Sequence, residues 1–330
     1  MDLLSPAPAT PSLALSVVIP CYNEAQVFSE LHRRVTDACH ASVGTSYEIL
    51  LVDHGSRDAT REAMRALADS EPHVRAVLLS RKHGHQLALT AGLSLCRDLR
   101  IFILDADLQD PPELLPEMLC VLDAGADVVY GQRRQRAGET LFKRGTAALF
   151  YRLLNRLADI DIPVDTGDFR LMSARALAVL NAMPEQHRFM RGMVSWVGMR
   201  QVPFPYDRKP RLAGNTKYPL GKMLRFAVDA ITGFSIRQLR LAILFGALFG
   251  TAGLLLIAYI LLIWAFGAVL AGWTSLMVVV LLLGSAQLFV LGVMGEYLGR
   301  LFLEAKRRPL FVIEEVYTGS DVARAPAVTR

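Results

Sequence analysis

Asp105-Ala106-Asp107-Leu108-Gln109-Asp110-Pro111-Pro112-Glu113 follows an apolar run, Ile101-Phe102-Ile103-Leu104, and the junction between them decides how the chain folds. Four apolar residues ahead of turn-forming ones predict a buried strand. Two carboxylates one residue apart then sit where that strand ends. If the chain stays extended, residues i and i+2 point the same way, so Asp105 and Asp107 converge on one cation and Gln109 adds a neutral oxygen. Hard divalent ions such as Mg2+ take oxygen ligands of this kind, often one or two carboxylates completed by a substrate's phosphates. An acidic loop capping the helix after Pro111-Pro112 would look the same in isolation, so the choice falls to the surrounding sequence.

Outward from this stretch, strand and helix patterns alternate. Leu15–Pro20 is a β-branched apolar strand, Cys21-Tyr22-Asn23-Glu24 its loop, and Glu24 to about Ala41 has helical spacing. Tyr47–Asp53 is a second strand, ended by His54-Gly55-Ser56-Arg57-Asp58, with Asp58 placed as a helix N-cap. A helix to Asp69, a strand Val74–Leu79, a helix from about Gln86 to Cys96, a helix Glu113–Leu122 and a strand Asp127–Gly131 follow. This alternation predicts an α/β fold with a mostly parallel, doubly wound sheet. Ligands of such sheets bind outside the carboxyl ends of the strands, and Tyr22, Glu24, Asp53 and Asp107 all fall on that edge. No Gly-x-Gly-x-x-Gly or Walker loop follows the first strand, which argues against a dinucleotide or ATP site.

Composition narrows the class further. The 330 residues are 52% hydrophobic, with the excess at one end: from Leu241 to Gly295 there is no charged residue. The formal charge of +5 is spread along the chain, without the basic and stacking-aromatic pattern of a nucleic-acid module. A membrane surface and anionic substrates account for it better. Cys21, Cys39, Cys96 and Cys120 lack metal-ligand spacing and read as reduced thiols. Residues 1–14 lack a signal-peptide pattern and read as a disordered tail.

Three of these motifs, Val18-Ile19-Pro20-Cys21-Tyr22-Asn23-Glu24, Val52-Asp53-His54-Gly55-Ser56 and Asp105–Glu113, resemble family 2 glycosyltransferases of the GT-A fold, a Rossmann-like architecture. The longer match, roughly residues 15–300, is to polyprenyl-phosphate glycosyltransferases, the family of dolichyl-phosphate mannose synthases and bactoprenol glucosyltransferases. It is carried by Gly84-His85-Gln86, Tyr130-Gly131-Gln132-Arg133, Gly138-Glu139-Thr140, Phe142-Lys143, Gly167-Asp168-Phe169-Arg170-Leu171 and Ala213-Gly214-Asn215-Thr216-Lys217-Tyr218. The resemblance implies that Pro20, Tyr22, Glu24 and Asp53 bind the nucleotide of a sugar-nucleotide donor. It implies a divalent metal, Mg2+ or Mn2+, on Asp107 and Gln109, with Asp105 ligating or just behind them. It also implies Asp168 as the catalytic carboxylate, Arg170 its partner, and Arg133, Lys143 and Arg144 as holders of a polyprenyl-phosphate acceptor. Arg can fork onto phosphate oxygens bidentately. Two departures from the family pattern stand out. His54 replaces the second aspartate of the second-strand motif, and Lys82-His83 replaces the usual Asn-Phe before Gly84.

Glu185–Gly192 lacks the Gln-x-x-Arg-Trp of processive polysaccharide synthases, which favours transfer of a single sugar. Arg188 and Arg191 there either steady phosphates or lie on the surface. Asp165–Arg170, taken without the resemblance, reads as a tight turn before a helix Ser173–Asn181.

The domain plan is a 1–14 tail, a GT-A catalytic domain over 15–221, an amphipathic membrane-interface segment over 222–240, two transmembrane helices at about 241–266 and 274–295, and a C-terminal segment over 301–330. In that last segment Leu310–Val316 is strand-like and a flexible tail follows. Arg225, Arg237 and Arg240 flank one end of the apolar region and Arg300, Lys306, Arg307 and Arg308 the other. The positive-inside rule then puts both termini and the catalytic domain on the cytoplasmic side of the inner membrane. The expected reaction is inverting, metal-dependent transfer of glucose from UDP-glucose to undecaprenyl phosphate. Other donors (UDP-N-acetylglucosamine, a UDP-aminopentose, GDP-mannose) and a non-catalytic sugar-nucleotide-binding scaffold are the alternatives. By resemblance the chain also forms a homo-oligomer, as the family includes tetramers.

Overall fold

The computed structural model describes residues 13–96, 98–134, 163, 166–208, 237–266, 272–319 and 321–323. The 1–12 tail, Lys143, Arg144, the Ala213–Tyr218 motif and residues 222–236 of the interfacial segment lie outside the described residues. The chain forms two compact units. One comprises the described residues through Arg208 together with those from Pro309 onward. The other runs through Arg308 and holds two long helices.

The first unit is built on a nine-stranded sheet. Its strands are β1 (Leu15–Cys21), β2 (Tyr47–Asp53), β3 (Val74–Leu79), β4 (Arg100–Ile103), β5 (Val128–Arg133), β6 (Thr166–Ser173), β7 (Gln201–Tyr206), β8 (Ile313–Thr318) and β9 (Asp321–Ala323). They lie in the order β7-β5-β6-β4-β1-β2-β3-β8-β9. β4, β1, β2 and β3 are mutually parallel. β1 and β2 are buried along their whole length, as near-continuous apolar strands covered on both faces must be. β7 carries Pro203 and Pro205 and lies at the sheet edge, where a missing backbone donor costs no ladder bond.

Around the sheet pack α1 (Phe28–Val43), α2 (Thr60–Ser70), α3 (His85–Leu95), α4 (Leu115–Asp123), α5 (Ala174–Ala182) and α6 (Met190–Val197). α1 buries Phe28, Leu31, Val35, Ala38 and Cys39, the three-and-four spacing of a helix with one apolar face. α3 approaches the sheet closely at Gly92, where a Cβ would come within 2.4 Å of Val18. That approach fixes where the first turn of α3, with His85 and Gln86, meets the carboxyl edge of the sheet.

Two sequence expectations are corrected. The Asp105–Gln109 stretch is not extended: β4 ends at Ile103, and the chain turns, with Leu108 at φ +53°. Ala106 and Leu108 are buried, and their burial drives the turn. The tight turn read at Asp165–Arg170 is instead, from Thr166 on, part of β6, which pairs antiparallel with both β4 and β5. Its strand character is hidden because Asp168 and Arg170 interrupt the apolar pattern, although both are buried. The strand-like stretch near Leu310 does form, as β8, antiparallel to β3.

The second unit holds α7 (Arg237–Ala265) and α8 (Trp273–Ala305). Among the described residues one segment, Leu282–Ala305, is long and apolar enough to cross a membrane, with mean hydropathy 1.3, and Phe245–Leu256 is a shorter apolar stretch.

Candidate active site

Past the end of β4 the turn gathers carboxylates. Asp107 and Asp110 are buried and Asp105 is partly so. The Asp107 carboxylate accepts from the Gln109 backbone N–H at 3.2 Å, which closes the turn. Tyr206 donates its hydroxyl to Asp110 Oδ1, and Arg208 approaches the same oxygen at 3.3 Å. Asp105 Oδ1 and Asp110 Oδ2 are buried with no hydrogen-bond partner among the described residues. Burial, opposed by the charge of His85 and reinforced by those of Asp168, Asp110 and Asp107, pushes the Asp105 carboxyl up to about 6. Crowded carboxylates with orphaned oxygens are what a divalent cation relieves. Among the described residues no three His, Cys, Asp or Glu side chains are arranged to hold an ion alone. The donor set therefore fits an ion that a ligand's phosphates complete.

Asp168, on β6, is the centre of the next group and is 3% exposed. His85 Nε2 lies 3.0 Å from its Oδ2 and Gln86 Nε2 donates to the same oxygen at 3.1 Å. Arg191 Nε donates to Oδ1 at 3.2 Å, and Arg170 lies 3.8 Å from it. Burial alone would raise Asp168. The charge of Arg191, the hydrogen bond and charge of His85 and the charge of Arg170 outweigh it and hold the carboxyl well below the usual range. Asp168 is thus a fixed anion and a poor proton acceptor.

Two arginines face this carboxylate and a third lies close by. Arg170 is buried and donates to the Gly167 carbonyl at 2.9 Å. Arg133 lies over Gly167: a Cβ there would stand 3.0 Å from the Arg133 Nη2, the far end of a flexible side chain. Arg191 reaches in from α6. Arg188, its sequence neighbour, instead donates to the Leu180 and Met183 carbonyls and ties down the end of α5. The two arginines that sequence left undecided thus have different jobs.

The β1 and β2 ends make the other flank. Pro20 is buried in β1, paired with Val52. Glu24 follows in the loop, its backbone N–H donating to Thr60 Oγ1 at 2.9 Å. Asp53 is fully buried; its carboxylate accepts from the Gly55 and Ser56 N–H groups and, at 2.7 Å, from Arg61 Nε. Asn23 knits the two loops, accepting from Arg57 N and donating its own N–H to Ser56 Oγ. Tyr22 stacks on His54, centroids 5.0 Å apart and planes 10° apart, and Lys82 Nζ lies 3.8 Å over the Tyr22 ring. Burial, then the charge of His85, holds His54 below the usual imidazole value. Two of the residues that depart from the family pattern, His54 and Lys82, therefore meet on Tyr22.

The structure thus brings Asp105, Asp107, Asp168 and Arg170 near one another, with Arg133 beside Gly167. It adds His85, Gln86, Arg191, Asp110 and Arg208, which sequence reading did not assign to the site. Gly84-His85-Gln86 was the available signal for the first two. Nothing in the sequence around Arg208 distinguishes it from other surface cations.

The carboxyl edge of this α/β sheet thus gathers acidic groups beside guanidiniums, the place where such sheets bind ligands. Residues 16–180 match the family model Glycosyl transferase family 2. The chain belongs to that family and is a glycosyltransferase. It is 45% identical over 303 residues to the uncharacterized glycosyltransferase YkcC of Bacillus subtilis (strain 168), covering 92% of this chain and 94% of that protein. It is 36% identical over 305 residues to the prophage bactoprenol glucosyl transferase homolog of Escherichia coli (strain K12), covering 92% and 99%. Among solved structures, mannosyl-3-phosphoglycerate synthase from Rubrobacter xylanophilus is similar over 69% of this chain and 74% of its own, at 19% identity and a TM-score of 0.45.

Proposed function

We propose that this glycosyltransferase moves one hexose, glucose from UDP-glucose, onto a polyprenyl phosphate at a membrane surface, with inversion at the anomeric carbon. The observation that carries the reading is the pairing of two flanks on one edge. Asp105 and Asp107 suit a metal-bound diphosphate, while Arg170 and Arg191 stand against the Asp168 carboxylate and Arg133 lies beside its neighbour Gly167. The relatives named bactoprenol glucosyl transferase, matched over nearly their whole length, supply the acceptor and sugar class.

In this reading an acceptor phosphate oxygen attacks C1 from the face opposite the nucleotide. The new C1–O bond forms as the C1–O bond to the β-phosphate breaks, and the electron pair leaves with UDP. A phosphate monoester, second pKa about 6, is mostly dianionic at pH 7 and needs no strong base. This agrees with an Asp168 carboxyl held low against burial by Arg191, His85 and Arg170. Asp168 instead holds the guanidiniums at the spacing the phosphate needs. Arg133 and Arg170 hold that phosphate, with Lys143 and Arg144 as further candidates. Asp107, Asp105 and Gln109 would hold Mg2+ or Mn2+, which supplies Lewis-acid stabilisation of the departing diphosphate. Tyr22 and Glu24 frame the nucleotide, and the buried Pro20 and Asp53 shape the loops on which they sit. α7 and α8 form a membrane hairpin that anchors the chain, with the catalytic unit on the cytoplasmic side.

The test uses full-length protein in detergent, undecaprenyl phosphate, a panel of labelled sugar nucleotides, and Mg2+ or Mn2+ present or chelated. Label should enter the organic phase from UDP-glucose, need the metal, and be lost in Asp107→Asn. Product from another donor would correct the sugar, and no product from any donor would overturn the reaction.

A further inference from the structure

β4 and β6 run antiparallel with Arg100 opposite Ser173 and Ile103 opposite Arg170. Asp105 lies two residues past the end of β4, in the turn, and its carboxylate and that of Asp168 share one neighbour in a partly enclosed site, where like charges repel. The group between them is His85, whose Nε2 is 3.0 Å from Asp168 Oδ2 and 3.5 Å from Asp105 Oδ1. It comes from the first turn of a third element, α3, which is seated against β1 and β2 at Gly92. Gln86, the next residue, grips the same Asp168 oxygen and accepts from the Met190 N–H at 2.9 Å, which ties the grip to the start of α6.

We propose that His85 is a positioning residue: its Nε2 hydrogen bond holds Asp168 at a set distance from Asp105 and so registers the acceptor flank against the donor flank. The inference rests on the reaction read above. Asp105 serves the donor diphosphate and Asp168 orders the arginines of the acceptor. A side chain bonded to one and adjacent to the other fixes the line along which the attacking oxygen approaches C1. Misplacement of reacting groups by about 1 Å costs on the order of 100-fold in rate, whereas donor binding, spread over the β1 and β2 loops, does not pass through His85.

The experiment compares full-length wild type, His85→Leu and His85→Gln in detergent. It measures kcat and donor KM by organic-phase label, UDP affinity by calorimetry, and the thermal midpoint. His85→Leu should lose about 100-fold in kcat with UDP affinity within about threefold of wild type. His85→Gln, which keeps an N–H at similar reach, should recover most of that loss. Wild-type kcat in His85→Leu, or a fall in UDP affinity that matches the fall in kcat, would overturn the proposal. If His85→Leu does not fold, His85→Gln decides: activity within about tenfold of wild type supports the role, and loss of turnover with intact UDP binding overturns it. If wild type makes no product with any donor, the reaction itself is misread and this inference falls with it.

Discussion

Asp168 illustrates how one side chain takes its chemistry from distant parts of the chain. Its motif, Gly167-Asp168-Phe169-Arg170, is visible in the sequence, but its hydrogen-bond partners come from residues 23, 82 and 83 positions away. Those partners turn a buried carboxyl, which burial alone would make a weak acid, into a permanent anion. Asp168→Asn keeps the shape and removes the charge that balances Arg170 and Arg191. We expect kcat to fall about 100- to 1000-fold, as when one preorganised electrostatic group is removed, while UDP affinity measured by calorimetry stays near wild type. Unchanged turnover would remove Asp168 from the mechanism. Asp53 teaches the reverse lesson. The family resemblance implies that it binds the nucleotide, and in the fold its oxygens accept from Gly55, Ser56 and Arg61, so it also sets the shape of the loop that carries the Tyr22–His54 stack.

At the scale of elements, β1, β2 and β3 were legible because each is a short apolar run between turn residues, buried on both faces. β6 was not, because two of its eight residues are site charges whose burial only tertiary partners permit. The Asp105–Asp107 turn was missed for a related reason. Periodicity reports which residues are apolar, and here Ala106 and Leu108 are buried by turning, not by alternation. One lock joins the antiparallel half of the sheet to its helices. Asp127 accepts from Ser173 Oγ at 3.2 Å, from the Arg175 guanidinium at 2.7 Å and from the Arg200 N–H at 3.4 Å. It thereby ties the start of β5 to the end of β6, to α5 and to the entry of β7. The hydrogen bond from Arg175 holds the Asp127 carboxyl below its ordinary value. A carboxyl lowered in the folded state adds stability that is complete above its unfolded value, about 3.9, and is lost as pH falls through the folded value. Asp127→Asn should lower the thermal midpoint at pH 7 by about 2–4 °C and narrow its gap from wild type between pH 4 and pH 2. A gap that stays constant over that range would show that the lock is packing and not charge.

The whole chain is arranged so that its apolar helices interrupt a sheet that is completed afterwards. β8 pairs with β3 after α8 has ended, the Ser80 N–H donates to the Val312 carbonyl at 3.0 Å, and Glu314 and Glu315 bond Arg61 and Arg65. Arg61 in turn holds Asp53, so residues on both sides of the helical unit converge on the β2 loop. Both connections of the helical unit therefore lead back to one folded body, and a two-helix hairpin would leave that body on a single side of the membrane. In the function proposed above, that side is the cytoplasm, where sugar nucleotides are soluble; the positive-inside rule predicts it from the flanking arginines and lysines. The cysteines provide the test. Cys21, Cys39 and Cys96 are buried and Cys120, on α4, is exposed. A membrane-impermeant maleimide therefore reports Cys120, with Cys120→Ser as control. In bacterial spheroplasts expressing the chain, Cys120 should stay unlabelled until the membrane is permeabilised, and should label freely in inverted vesicles. Equal labelling of intact and permeabilised spheroplasts would place the catalytic unit outside and make a cytoplasmic sugar nucleotide inaccessible to it. Labelling of a soluble fraction alone would mean that α7 and α8 do not anchor the chain at all.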